Sequence, residues 1–273
     1  MVGLAAIFRN HNSLNPRKVG LTVRTRMNLL LLASTAVFFA LVPVYAQQGQ
    51  APPPPTPKSI APVDLTGYWV SLVTEDWRFR MVVPPKGDYA SMPLNQEAIK
   101  EANAWDPAKD EAAGEACKAY GAPAIMATPT RLHITWQDDN TMKVETDAGM
   151  QTRLLHFGAW KPRGGPASWQ GESVARWDLG RAGRGAAPRG GSLTVETTNV
   201  RPGYLRKNGV PYSGSVKVTE YWDLGSEPNR DQWITITSVV DDPKYLRQPY
   251  VTALQFKKEL DGTKWDPTPC SAR

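Results

Sequence analysis

Glu220 is the residue of this sequence with the clearest chemical potential. It stands on a strand, Ser215–Leu224, whose alternation puts Val216, Val218, Glu220 and Trp222 on one face. Lys217, Thr219, Tyr221 and Asp223 share the other. A carboxylate in line with three apolar side chains is costly to bury unless a cation or donor meets it. Arg153 is the matching cation: on the strand Met150–Phe157 it shares a face with Leu155 and Phe157. Two chemistries are open to such a pair. It is an internal ion pair that fixes the fold, or it works at the bottom of an apolar cavity. In the second case Glu220 is a general acid or base and Arg153 holds a carboxylate or enolate oxygen. Tyr68, Trp77, Tyr221 and Tyr250 are candidate cavity walls, subject to strand register. His133 falls on the face opposite Leu132, Ile134 and Trp136, and His156 shares a face with Leu154 and Thr152.

Other chemistries lack their residues. Past residue 46 the histidines are His133 and His156, without metal-ligand spacing. Asp106, Asp110 and Glu111 do not have the spacing of a calcium loop. There is no phosphate-binding loop and no dinucleotide fingerprint. Gly171-Glu172-Ser173-Val174-Ala175 begins like a nucleophile elbow, ends in Ala and lies in a strand. No metal and no cofactor are expected. The loop Leu179–Gly191 carries Arg181, Arg184 and Arg189 on a Gly-rich backbone with no interleaved aromatics, so no nucleic-acid partner is expected.

Residues 1–46 read as an export signal. Arg9, Arg17, Lys18, Arg24 and Arg26 form a basic region, Leu29–Val44 an apolar one, and Val44-Tyr45-Ala46 a cleavage site before Gln47. A transmembrane anchor is the alternative, and Met27 an alternative start. The five basic residues of the signal account for most of the net charge of +6, so the rest of the chain is close to neutral. Its localisation is expected to be periplasmic or secreted, with no stable membrane insertion after cleavage. Cys117 and Cys270 are then expected to form a disulfide. Residues 47–62, with Pro52–Pro55 and Pro57, read as an extended spacer.

Residues 63–273 suit one all-β domain. Strands are expected at Gly67 onward, Trp77–Val83, Arg131–Trp136, Thr141–Thr146, Met150–Phe157, Ser168–Trp177, Ser192–Asn199, Ser215–Leu224, Gln232–Val240 and Tyr250–Phe256. Residues 94–120 are the one helical insertion, with Asn95 as one cap and Asp106-Pro107 as another. About nine hairpin-ordered strands without βαβ alternation predict a closed antiparallel barrel, with a two-sheet sandwich as the alternative.

Several stretches resemble a large group of uncharacterised secreted bacterial proteins with a lipocalin-like, calycin-type barrel. They are Cys117-Lys-Ala-Tyr-Gly-Ala-Pro-Ala-Ile-Met126, Gly171-Glu-Ser-Val-Ala-Arg-Trp-Asp178 with Leu193–Asn199, Val210-Pro-Tyr-Ser213 with Thr219-Glu220-Tyr221, and Val240–Tyr250. Here Tyr212 and Tyr221 stand where that group often has His and Arg. The resemblance implies a fold and export, and no reaction. Three functions follow as expectations: a barrel holding a small, partly apolar organic ligand in its interior, a cofactor-independent isomerase, lyase or hydratase using Glu220 and Arg153, or an envelope-associated protein with a filled barrel.

Overall fold

The structure, a computed structural model, describes residues 53–180 and 190–273. Nine strands close into a barrel: β1 (Gly67–Leu72), β2 (Arg131–Asp138), β3 (Thr141–Thr146), β4 (Thr152–Phe157), β5 (Glu172–Leu179), β6 (Gly191–Thr198), β9 (Lys217–Ser226), β10 (Gln232–Asp241) and β11 (Tyr250–Lys258). Around the barrel the order is β1-β11-β10-β9-β6-β5-β4-β3-β2, and β2 pairs back onto β1 through Trp69↔Leu132. A separate hairpin, β7 (Gly203–Arg206) and β8 (Val210–Tyr212), is inserted between β6 and β9.

The alternation of the strands decides what fills the barrel. Trp69, Leu132, Ile134, Val144, Leu155, Leu193, Val195, Trp222, Ile234 and Phe256 point inward and are buried. The interior is therefore packed with side chains, as small barrels commonly are. One ladder departs from the antiparallel expectation: β4 and β5 run parallel, Leu155↔Ser173 to Phe157↔Ala175. Strand patterning fixes which face is buried but not the direction of travel. Here the link between β4 and β5 crosses to the far end of the barrel before β5 begins, bridging Ser168 to Val200 on the way.

The insertion folds as the caps require. The Asn95 side chain accepts from Ala98 N at 2.9 Å to open α2 (Gln96–Ala104), and Asp106 caps α3 (Pro107–Ala112). Leu94 and Ala98 pack with Leu205, Val210, Tyr212, Val218 and Leu246 into a second core, which takes in the inward-facing start of β9. Cys117, after these helices, is disulfide-bonded to Cys270 near the C-terminus, with Cα atoms 5.1 Å apart.

Two expectations change. Trp77–Val83 is not a strand: a one-turn helix, α1 (Trp77–Arg80), is followed by an exposed Met81–Val83. The turn starts at Asp76, whose carbonyl accepts from Phe79 N and Arg80 N, so the alternation never meets a neighbouring strand. The spacer is also not free along its length. Lys58 N donates to Asp139 O at 3.2 Å, and the Trp177 indole donates to Pro57 O at 2.9 Å. A buried indole N–H needs an acceptor, and this segment supplies it beside the Trp136, Phe157 and Trp177 ring cluster. Residues 1–46, read from the sequence as an export signal, and Arg181, Arg184 and Arg189 lie outside the described residues.

Candidate functional site

The structure brings Glu220 and Arg153 together. Arg153 Nη1 donates to Glu220 Oε1 at 3.1 Å and Nη2 to Oε2 at 2.7 Å, and each side chain is 1 % exposed. Nη2 also donates to Thr197 Oγ1 at 3.2 Å, which in turn meets Ser173 Oγ at 2.8 Å. β6 and β5 separate β9 from β4, so the pair spans the barrel from inside. The two-point geometry occupies both carboxylate oxygens. Neither residue lines a described cavity.

Three of the four candidate walls are elsewhere. Tyr68 is on the outer face, because its neighbour Trp69 takes the interior position; its ring stacks on His133 at 4.2 Å and Trp265 lies edge-on to it. Tyr221 is likewise turned outward by the same alternation that turns Glu220 inward, and is 40 % exposed. Trp77 is 66 % exposed on α1. His156 is also outside, stacked on Trp160 at 4.2 Å. Only Tyr250 borders a cavity.

That cavity is a cleft of about 500 Å³ at the side of the barrel mouth. Its origin is a mismatch of strand lengths. β1 ends at Leu72 opposite Gln255, whereas β11 begins at Tyr250. On the β1 side, β11 therefore has no strand partner from Tyr250 to Leu254. The chain leaving β1 turns away through Glu75 and Asp76 into α1, and Met126–Pro129 forms the opposite wall. Past Asp76, Tyr250 and Val251 the cleft runs on into a shallower hollow of about 510 Å³ bordered by Met92 and Pro93. Ser238, the cross-strand neighbour of both Glu220 and Thr252, is the cleft-lining residue beside the inner ion pair.

The walls of the cleft are mostly apolar, among them Met81, Val82, Val83, Met126 and Leu254. The polar groups among them are distinctive. The Arg80 side chain is 5 % exposed; its Nε donates to Ala127 O at 2.8 Å and its Nη1 to Glu75 Oε1 at 2.7 Å. Arg206 is also buried; its Nη1 donates to Ala90 O at 2.8 Å and its guanidinium lies 4.1 Å over the Phe79 ring. Each arginine keeps one buried Nη2 without a hydrogen-bond partner. Burial pulls the Arg80 guanidinium below its ordinary value, against Glu75, Asp76 and Tyr250. Burial pushes the Tyr250 hydroxyl up, and Arg206 pulls it the other way.

Sequence reasoning missed both arginines. Arg80 falls on the outward phase of a strand that does not form. Arg206 precedes Asn208-Gly209, a hairpin turn signature that marks β7 and β8. Gly209 takes φ 86°, which the turn requires.

No family model, curated protein or solved structure matches the chain. No helix among the described residues is long and apolar enough to cross a membrane, and among those residues no group of three or more His, Cys, Asp and Glu is placed to hold a metal ion.

Proposed function

We propose that this protein is an exported, lipocalin-like barrel that binds a small, partly apolar organic molecule, and that the ligand sits in the cleft between β11, α1 and Met126–Pro129. The observation that carries this reading is the cleft itself. It has the volume of an ordinary small-molecule site, apolar walls and a few convergent polar groups. The barrel interior, where such a ligand was expected, is filled by Trp69, Trp222, Phe256 and their neighbours. In this reading Glu220 and Arg153 are structural, since the guanidinium meets both carboxylate oxygens, with only the Arg153 Nε left unpaired, and neither residue borders the cleft. The disulfide favours an oxidising compartment.

Calorimetric titration with decanol, decanoate and decyltrimethylammonium tests the binding site. One saturable site for at least one of these probes is expected, and Ala253→Trp, at the exposed cleft-side edge of β11, should block it. No saturable site for any probe refutes the reading, as does unchanged binding in Ala253→Trp. Export is checked by cell fractionation and by an N-terminus at Gln47 in the recovered protein.

A further inference from the structure

We propose that the ligand of the cleft is an organic anion, a carboxylate or a group of similar charge and shape on an apolar body, with its head held between Arg80 and Arg206. This rests on the cleft being the binding site and names the class of molecule it takes.

The argument starts from what the two guanidiniums lack. A buried N–H donor is almost always paired, because leaving it unpaired forfeits its solvation with nothing in return. Arg80 and Arg206 each leave a buried Nη2 unpaired, and both side chains line the same cleft. They come from different elements, α1 and β7, and α1 also supplies Phe79, on which Arg206 stacks. The two cations are therefore assembled at one place by the fold rather than by a local sequence run.

Charge points the same way. The charged residues lining the cleft are Arg80, Arg206 and Lys207 against Glu75 and Asp76. Glu75 is committed to Arg80 Nη1, and Asp76 sits exposed at the rim. Among the described residues Arg206 has no carboxylate partner; a carbonyl, an aromatic ring and the neighbouring Tyr250 hydroxyl are what it faces. The lining is one positive charge in excess, which a monoanion neutralises. An uncharged head leaves that excess in place, and a cationic head adds to it. Guanidinium groups present planar N–H donors that suit a carboxylate's two oxygens. The apolar body would lie along Met81, Val82, Met126 and Leu254.

The three decyl probes separate this proposal from the one it rests on. They share one apolar tail and differ in the head. Burial of the tail alone ranks decanol ahead of decanoate, because the carboxylate must be stripped of water. The expected result is the reverse: decanoate tighter than decanol by about tenfold or more, and decyltrimethylammonium weakest. Arg206→Gln should bring decanoate down to the level of decanol measured on the same variant. Arg206→Lys, which keeps the charge and loses the planar fork, should fall between. The head-group ranking needs no variant, so it stands even where Arg206→Gln folds poorly. Decanol binding as tightly as decanoate, or decyltrimethylammonium binding best, overturns the anion assignment and leaves the cleft reading intact. Binding of none of the three overturns both.

Discussion

Glu220 and Arg153 give the sharpest stability test. The carboxylate holds two guanidinium nitrogens at 3.1 and 2.7 Å, and both residues are 1 % exposed. Glu220→Ala strands a buried guanidinium and opens a cavity between Val218 and Trp222. Breaking a buried pair from one side costs about 3–5 kcal/mol, and the cavity adds to it. Glu220→Gln keeps the shape and one acceptor, so about half that loss is expected. The double change Glu220→Leu with Arg153→Met removes both charges and refills the space. It should cost less than either single change to Ala, because no ion is left unpaired. Urea denaturation followed by tryptophan fluorescence reads these differences. With a slope of about 3 kcal/mol per M, Glu220→Ala should lower the midpoint by roughly 1–2 M. The double variant should still bind whichever decyl probe the wild type binds, since neither residue touches the cleft. A loss under about 1 kcal/mol for Glu220→Ala refutes the structural role. Full folding of the double variant with loss of probe binding refutes the separation of pair and site.

Other outcomes follow from single contacts. Unreduced, denatured protein should show no free thiol, and Cys117→Ala with Cys270→Ala should lose up to about 5 kcal/mol, the chain-entropy value for a closed loop of this length, as read by the same denaturation. The Tyr212 hydroxyl is buried without a partner, so Tyr212→Phe should leave stability unchanged or raise it by about 1 kcal/mol. A Cβ added at Gly121 would fall on that hydroxyl; Gly121→Ala should cost about 1–3 kcal/mol and cost less in the Tyr212→Phe background. Burial lowers His156 from its ordinary value, so the fold favours the neutral ring: its contribution is full above the unfolded value and fades as pH falls through it. NMR titration should find the His156 ring charging at lower pH than a free histidine, and an unshifted midpoint refutes that.

Much of the barrel was legible because alternation, strand-forming residues and turn residues agree along the chain. β3 follows from its hairpin turn and β10 from its β-branched and aromatic run, each nearly to the residue, and the two helix starts follow from Asn95 and Asp106. The pairing of Glu220 with Arg153 was framed by placing each on an apolar face. Strand alternation already excluded two proposed walls: a strand that turns Glu220 inward turns Tyr221 outward, and one that turns Trp69 inward puts Tyr68 on the outer face. The parallel β4–β5 ladder was not legible, because side-chain pattern is blind to strand direction. Nor was the cleft, because its cause is a length difference between β1 and β11, strands far apart in sequence.

That length difference also explains why the misread segment and the cleft coincide. Residues 73–83 carry β-branched and aromatic residues at strand spacing, yet pairing stops at Leu72, where Ser71 N donates to Thr130 O at 3.0 Å and Thr130 N to Ser71 Oγ at 3.1 Å. Had the strand continued, it would have covered β11 from Tyr250 to Leu254 and closed the wall. Instead the chain folds into α1, sends Arg80 inward and leaves Met81 and Val82 exposed at the rim. Exposed apolar residues and buried unpaired donors each weaken a fold that has no further use for them. The exposed Met81 and Val82 and the unpaired Arg80 Nη2 occur together on a segment that departs from the strand alternation, the pattern expected where local rules yield to a binding site.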